Sequence, residues 1–290
     1  MHVSFARTIK IFLIIFLTSL LMVFCLSKAA FGKIGFNALF TFSGYFAYTL
    51  ITIRILKDRL SLTRILLLLY ASLFLMQAYS IYLYFVGTVA YLPIQIVYCL
   101  GILSAAVFYK FHSIYRFLPV VLSLVFVMFM LLSGWEYWFN YANFGTFTGR
   151  VSYNLPTRFE AFDERNMLVT DDNFQGRIVL LDYWYTKCGV CFNRFPHVEA
   201  AYEKYKNDAS ISIYAVDWPI DEDKPGEAFQ VIREEGYSFP VLIAADENMP
   251  AKWGVTGYPT TFVIDRAGVV VFKGDIEGAV RTVDRLKENN

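Results

Sequence analysis

Along the first half of the chain, apolar residues run in long blocks and polar residues gather at the joints between them. Five blocks stand out, at about Ile9–Leu26, Ile34–Leu56, Ile65–Val86, Val89–Phe111 and Phe117–Phe139. Each approaches the roughly 20 residues that a helix rising about 1.5 Å per residue needs to cross a hydrocarbon core about 30 Å thick. Lipid offers the backbone no partners, and a helix is the form that satisfies its polar groups within one segment. The pattern predicts an all-α transmembrane helical bundle of about five spans over residues 1–142.

Past residue 150 the period changes. Ile178–Trp184 reads as a buried strand, and Cys191–Lys206 has helical spacing interrupted at Pro196. Ile211–Val216 is a second strand, followed by a helix over Pro225–Glu235 that closes at Gly236. Val241–Ala244 and Thr260–Ile264 are strands, Asp265–Gly268 is a turn into the strand Val269–Lys273, and Ile276–Lys287 is a last helix. Strands alternating with helices predict an α/β sheet covered on both faces over residues 155–290, with residues 143–154 as a linker.

Composition agrees with this division. The chain is 57% apolar and 18% aromatic with 18% charged residues, richer in apolar residues than an ordinary soluble protein. Its net charge of +1 hides a segregation. Residues 1–149 carry ten Lys/Arg against two acids, a balance of +8, and the remainder carries sixteen against twenty-three, a balance of −7. The basic residues of the first half sit in the joints and form no continuous face, which excludes a nucleic-acid reader. Arg7 and Lys10 flank the start of the first block, Lys57, Arg59 and Arg64 follow the second, and Lys110 and Arg116 flank the end of the fourth. The Gly87-Thr88 joint carries no charge, while Lys28 and Lys33 dissent. The balance predicts a multi-pass protein of a bacterial inner membrane, with its N-terminus in the cytoplasm and its C-terminal domain periplasmic. Trp135, Tyr137, Trp138 and Tyr141 would then form an aromatic belt at the outer interface. The stretch from Arg7 to Ala29 also fits a cleaved signal peptide, which leaves the C-terminal domain on the same side.

The chemistry concentrates at Cys188-Gly189-Val190-Cys191, at a strand-to-helix junction. A cysteine opening a helix lies in the field of unpaired backbone N–H groups, which lowers its pKa from about 8.5. Two intervening residues bring the second sulfur round one turn, and Lys187 adds positive charge that favours a thiolate. Other readings are half of a zinc site or buried core cysteines. A structural zinc site needs four ligands, and the second half offers His197 six residues beyond Cys191, where a helix would not aim both at one point.

The segment Leu181–Cys191 resembles the active-site segment of thioredoxins, with Pro196 at the position of the proline that kinks the active-site helix. Val255–Asp265 resembles the cis-proline segment of the TlpA/ResA group of extracytoplasmic thiol-disulfide oxidoreductases. The resemblance covers roughly residues 155–288 and does not reach the first half. It implies a thioredoxin-like fold, a redox-active Cys188–Cys191 disulfide with Cys188 attacking and Cys191 resolving, and Pro259 as a cis-proline beside them. Tyr258 would then present a backbone edge to a substrate polypeptide. Asp182 matches the buried aspartate of thioredoxins and is expected to accept the proton of Cys191; its other reading is a strand-end Asp held by local hydrogen bonds. Trp184 is expected to pack beneath the site. The sequence departs from the family in its Gly-Val dipeptide, where thioredoxin has Gly-Pro.

These readings make the chain a membrane-anchored thiol:disulfide oxidoreductase without a bound cofactor or metal. Its partners would be disulfide-containing extracytoplasmic proteins, an electron donor and the lipid bilayer. The other class open to the same cysteines is a metal chaperone for copper or zinc. A relay through Cys25 and Cys99 is disfavoured by depth, since they would lie roughly 10 Å apart along the bilayer normal, beyond disulfide reach; both are expected to pack as small apolar residues.

Overall fold

The computed structural model describes residues 5–29, 34–83, 89–220 and 223–288. The chain divides into two compact units, Met1–Ala142 and Asn143–Asn290. Lys33, the Gly87-Thr88 joint and the end of the third apolar block after Leu83 lie outside the described residues, as does the side chain of Lys28.

The first unit is helical: α1 (Phe5–Ala29), α2 (Ile34–Leu56), α3 (Leu62–Leu83), α4 (Leu92–Lys110), then α5 (Leu118–Phe129) and α6 (Trp135–Phe144) joined by a π-helical turn at Met130–Gly134. Among the described residues four helical segments are long and apolar enough to cross a membrane: Ala6–Leu26, Asn37–Leu56, Leu92–Lys110 and Ile114–Phe144. The third block contributes a shorter apolar stretch, Leu62–Ala78. Tyr45, Ile53, Ile65, Leu69, Val97 and Ile102 fill the interior. Leu17, Phe24, Leu67, Phe74 and Leu132 point outwards, the last 74% exposed. α2 and α4 approach closely at Gly101, where a Cβ would stand 3.1 Å from the Phe42 carbonyl oxygen. Ser104 on α4 and Ser123 on α5 share a hydrogen bond at 3.0 Å. Cys25 and Cys99 are free thiols on the outside of the unit and do not pair with each other.

The second unit is an eight-stranded sheet: β1 (Arg150–Asn154), β2 (Glu160–Phe162), β3 (Leu168–Thr170), β4 (Ile178–Trp184), β5 (Ile211–Asp217), β6 (Val241–Ala244), β7 (Thr260–Ile264) and β8 (Val269–Gly274). Their spatial order is β1-β8-β7-β4-β5-β6-β2-β3, with β4, β5 and β6 parallel and the other pairings antiparallel. The helices are α7 (Gly189–Phe192), α8 (Phe195–Tyr205), α9 (Glu227–Glu234), α10 (Met249–Lys252) and α11 (Ile276–Glu288). Every residue of β4 is buried, as a central strand covered on both faces requires. Ile178, Leu180 and Trp184 pack on one face against Phe195 and Val198 of α8, Ile232 of α9 and Val283 of α11. Val179, Leu181 and Tyr183 pack on the other against Phe159, Phe174, Trp253 and Phe262.

Two expectations are corrected here. Residues 150–154 are not linker but the edge strand β1, paired with β8; none of its residues is fully buried, so no run of apolar residues marked it. The helix expected over Cys191–Lys206 breaks at Asn193-Arg194 into α7 and α8. Pro196 lies in the first turn of α8, where its missing N–H leaves no helical bond unmade.

Candidate functional site

β4 delivers the chain to the site. Its apolar residues anchor it at the centre of the sheet, and Tyr185-Thr186-Lys187 carries it from Trp184 to Cys188, the N-cap of α7. Cys188 and Cys191 form a disulfide with an S–S distance of 2.02 Å and Cα atoms 5.2 Å apart. Cys188 keeps 4% exposure and Cys191 none, while Val190 between them is 60% exposed. Lys187 is exposed beside the pair. Trp184 lies beneath it, edge-on to Phe195 at 5.0 Å and to Phe192 at 6.2 Å.

Side chains alternate along a strand, so Asp182 shares a face with Leu180 and Trp184, the face that carries both cysteines. It is 1% exposed. Thr261, directly opposite on β7, donates its hydroxyl to Asp182 Oδ1 at 2.6 Å, and Oδ2 has no hydrogen-bond partner. Burial pushes its carboxyl up to about 6. The Thr261 hydrogen bond and Arg194 oppose that rise, and Glu277 adds to it. Arg194 and Glu277 pair at 2.5 Å.

The Tyr258-Pro259 peptide is cis. The Thr260 hydroxyl donates to the Gly257 carbonyl at 2.7 Å and holds the loop that carries it. Tyr258 meets Tyr185 edge-on at 5.2 Å and stacks on Trp218 at 5.4 Å with ring planes 5° apart. Among the described residues no group of three or more His, Cys, Asp or Glu side chains comes together to hold a metal. His197 lies on α8 with Nδ1 3.4 Å from Glu277.

Residues 154–273 match the AhpC/TSA family. Thiol-disulfide oxidoreductase ResA of Bacillus thuringiensis is 30% identical over 141 residues, 43% of this chain and 79% of that protein. ResA of Bacillus cereus is 30% identical over 158 residues, 49% and 87% of the two chains. This chain belongs to the ResA-type thiol-disulfide oxidoreductase family. Among solved structures, the thioredoxin domain of a thiol-disulfide oxidoreductase from Bacteroides vulgatus is 20% identical, with a TM-score of 0.41 over 47% of this chain and 96% of that one.

In this ResA-type domain the site brings Cys188, Cys191 and Trp184 into one core, with Asp182 on the same sheet face and Tyr258 packed against that core. Two polar neighbours escaped the sequence reading. Thr186 donates its hydroxyl to Asp223 Oδ1 at 2.5 Å, tying the stretch before Cys188 to the loop after β5. Asp217, the last residue of β5, is 2% exposed. Burial, then Asp223 and Glu227, push its carboxyl up to about 8. An acid following an apolar strand reads as the start of a solvated loop; only its register opposite Trp184 reveals otherwise.

Proposed function

We propose that the chain is a membrane-anchored oxidoreductase that reduces or exchanges disulfides of extracytoplasmic proteins, with Cys188 attacking and Cys191 resolving. The observation that carries this reading is the Cys188–Cys191 disulfide at the end of β4, where residual exposure belongs to Cys188. In the reducing direction the Cys188 thiolate attacks one sulfur of a substrate disulfide. A bond between Cys188 and substrate forms, the substrate S–S bond breaks, and one substrate thiolate leaves. Cys191 then gives its proton to ionised Asp182 and attacks Sγ of Cys188. The internal disulfide forms, the mixed disulfide breaks, and the second substrate thiolate leaves; both thiolates take protons from solvent. Two electrons have passed to the substrate, and a dithiol donor restores the pair.

With its carboxyl at about 6, Asp182 is ionised at neutral pH and a stronger base than an ordinary aspartate. Tyr258 and Pro259 flank the pair as the substrate-facing loop, Lys187 favours the Cys188 thiolate, and Trp184 and Pro196 set the floor and the start of α8. The distribution of Lys and Arg supports about five spans with the redox domain, here taken from Arg150, outside the cytoplasm.

The purified full chain, supplied with a dithiol, should reduce insulin disulfides, and Cys188→Ser should abolish the activity. Stoichiometric retention of copper or zinc without disulfide reduction would assign the cysteines to metal carriage instead. An alkaline phosphatase fusion after Gly149 should be active and one after Lys57 inactive; the reverse pattern places the domain in the cytosol.

A further inference from the structure

The exchange mechanism leaves one buried carboxyl at the site unused. Asp217 pairs in parallel register with Trp184, and the Trp218 N–H donates to the Trp184 carbonyl at 2.8 Å. By alternation it shares the face of Ile211, Ile213 and Ala215, which lie in the same core as Cys188 and Cys191. Among the described residues its Oδ1 has no hydrogen-bond partner. Among the described residues no basic side chain pairs with it. Among the described residues the charged and titratable groups that act on it are acids or a phenol: Asp223 on the following loop, Glu227 at the first position of α9, and Tyr258 on the cis-proline loop. That following loop is joined to the site at both sides. Trp218 stacks on Tyr258, and Asp223 accepts from the Thr186 hydroxyl, two residues before Cys188, and from the Ile220 N–H at 3.0 Å.

We propose that Asp217 is a second proton-carrying carboxyl of the redox centre, taking up a proton when the disulfide opens to the dithiol and so setting how the potential depends on pH. The proposal deepens the exchange reading above and rests on it. Asp217 acts as a positioning residue, through charge, and does not touch the substrate.

In the disulfide form the Asp217 carboxyl ionises at about 8. Above that pH a dithiol reductant delivers two electrons and the Cys188–Cys191 bond breaks. One proton goes to Sγ of Cys191, one to ionised Asp182 and one to the Asp217 carboxylate, while Cys188 stays a thiolate. A negative charge on Cys188, in the core on the same sheet face, raises the proton affinity of the Asp217 carboxylate. Below about pH 8 Asp217 already holds its proton and takes up none; the same two electrons bring a proton to Cys191 and, above about pH 6 where Asp182 is ionised in the disulfide form, one to Asp182. A thiol that ionises in the reduced form lowers the proton uptake as pH rises. An acid that ionises in the disulfide form raises it, so a rise is its signature.

The test is the potential of the purified full chain in detergent, equilibrated with dithiothreitol buffers from about pH 5 to 10. The parent should show the protons taken up per electron pair rising by up to one near pH 8. Asp217→Asn should lose that rise and keep the separate rise near pH 6 that belongs to Asp182; Asp182→Asn should do the reverse. A rise near pH 8 that survives in Asp217→Asn, or is missing from the parent, overturns the proposal. If Asp217→Asn fails to fold, Glu227→Gln removes a neighbouring like charge and should move the rise to lower pH; an unmoved rise overturns the proposal. A pair that no reductant opens at any pH refutes the exchange reading itself, a result distinct from all of these.

Discussion

Both units have apolar interiors, but they differ in the small polar groups and the large rings they enclose and in what they turn outwards. The first encloses Ser19, Thr41, Thr49, Ser72, Ser104 and Ser123 and turns leucine and phenylalanine outwards. The second encloses Trp184, Trp253, Tyr183, Phe195 and Phe262. On the membrane-anchored reading proposed above, the contrast follows from the solvent around each half. In water, burying apolar surface is worth about 25 cal/mol per Å² and drives the core inwards. In lipid that drive would vanish between helices, leaving close approach and hydroxyl pairs of the kind seen at Gly101 and between Ser104 and Ser123 to hold them. Against that background the two carboxyls buried in the second unit stand out, because each opposes folding in its ionised form. Both lie on the sheet face that carries the disulfide, the placement that the proton-transfer roles proposed above require.

The contrast can be broken most directly in the water-type core. Phe195→Ala removes a fully buried ring beneath the disulfide and should destabilise the second unit by about 3–5 kcal/mol in urea unfolding of the full chain followed by tryptophan fluorescence. A loss below about 1 kcal/mol would mean that this face is not a packed core.

On the outside of the first unit the sign of tolerance should invert. Leu132→Arg should oppose membrane insertion by about 2.5–3.5 kcal/mol, read as the fraction of chain integrated into membranes. Val190→Arg, at a comparably exposed position of the second unit, should change stability by less than about 0.5 kcal/mol. Harmless arginine at 132 would show that this surface faces water.

The buried acid sharpens the comparison through pH. The folded-state value of Asp182, about 6, lies above the roughly 3.9 of an unfolded aspartate. Its contribution is therefore complete below about pH 4 and is lost as pH rises through about 6. Asp182→Asn does not ionise, so its stability relative to the parent should improve by about 2–3 kcal/mol between pH 4 and 7, measured by urea midpoints at the two values. In stopped-flow exchange the same variant should leave attack by Cys188 nearly unchanged and slow resolution by about 10²-fold near neutral pH. That deficit should shrink at alkaline pH, where hydroxide deprotonates Cys191. An unchanged stability difference would mean that Asp182 does not titrate in this window. Smallest of all, Ser104→Ala should cost about 0.6 kcal/mol in detergent unfolding of the helical unit.

What was legible in the sequence follows the same division. β4 through β8 were readable because continuous or alternating apolar runs mark strands that a core must cover. β1, β2 and β3 were not, because β1 is a half-exposed edge strand and the other two span three residues each. The cysteine pair, Asp182 and Pro259 were readable through local motifs and their order. Asp217 was hidden because the role proposed for it depends on a pairing with Trp184, 33 positions earlier in the chain, which no local pattern encodes. The break at Asn193-Arg194 was misplaced to Pro196 because a proline stops a helix in its interior but opens one in its first turn.

The identity of the attacking thiol can be read directly by trapping. In cells, full-length chain with Cys191→Ser should accumulate mixed disulfides with extracytoplasmic proteins, linked through Cys188 and dissolved by reductant. Full-length chain with Cys188→Ser should accumulate none. Equal trapping by both variants, or trapping by Cys188→Ser alone, would contradict the assignment of Cys188 as the nucleophile and Cys191 as its resolving partner.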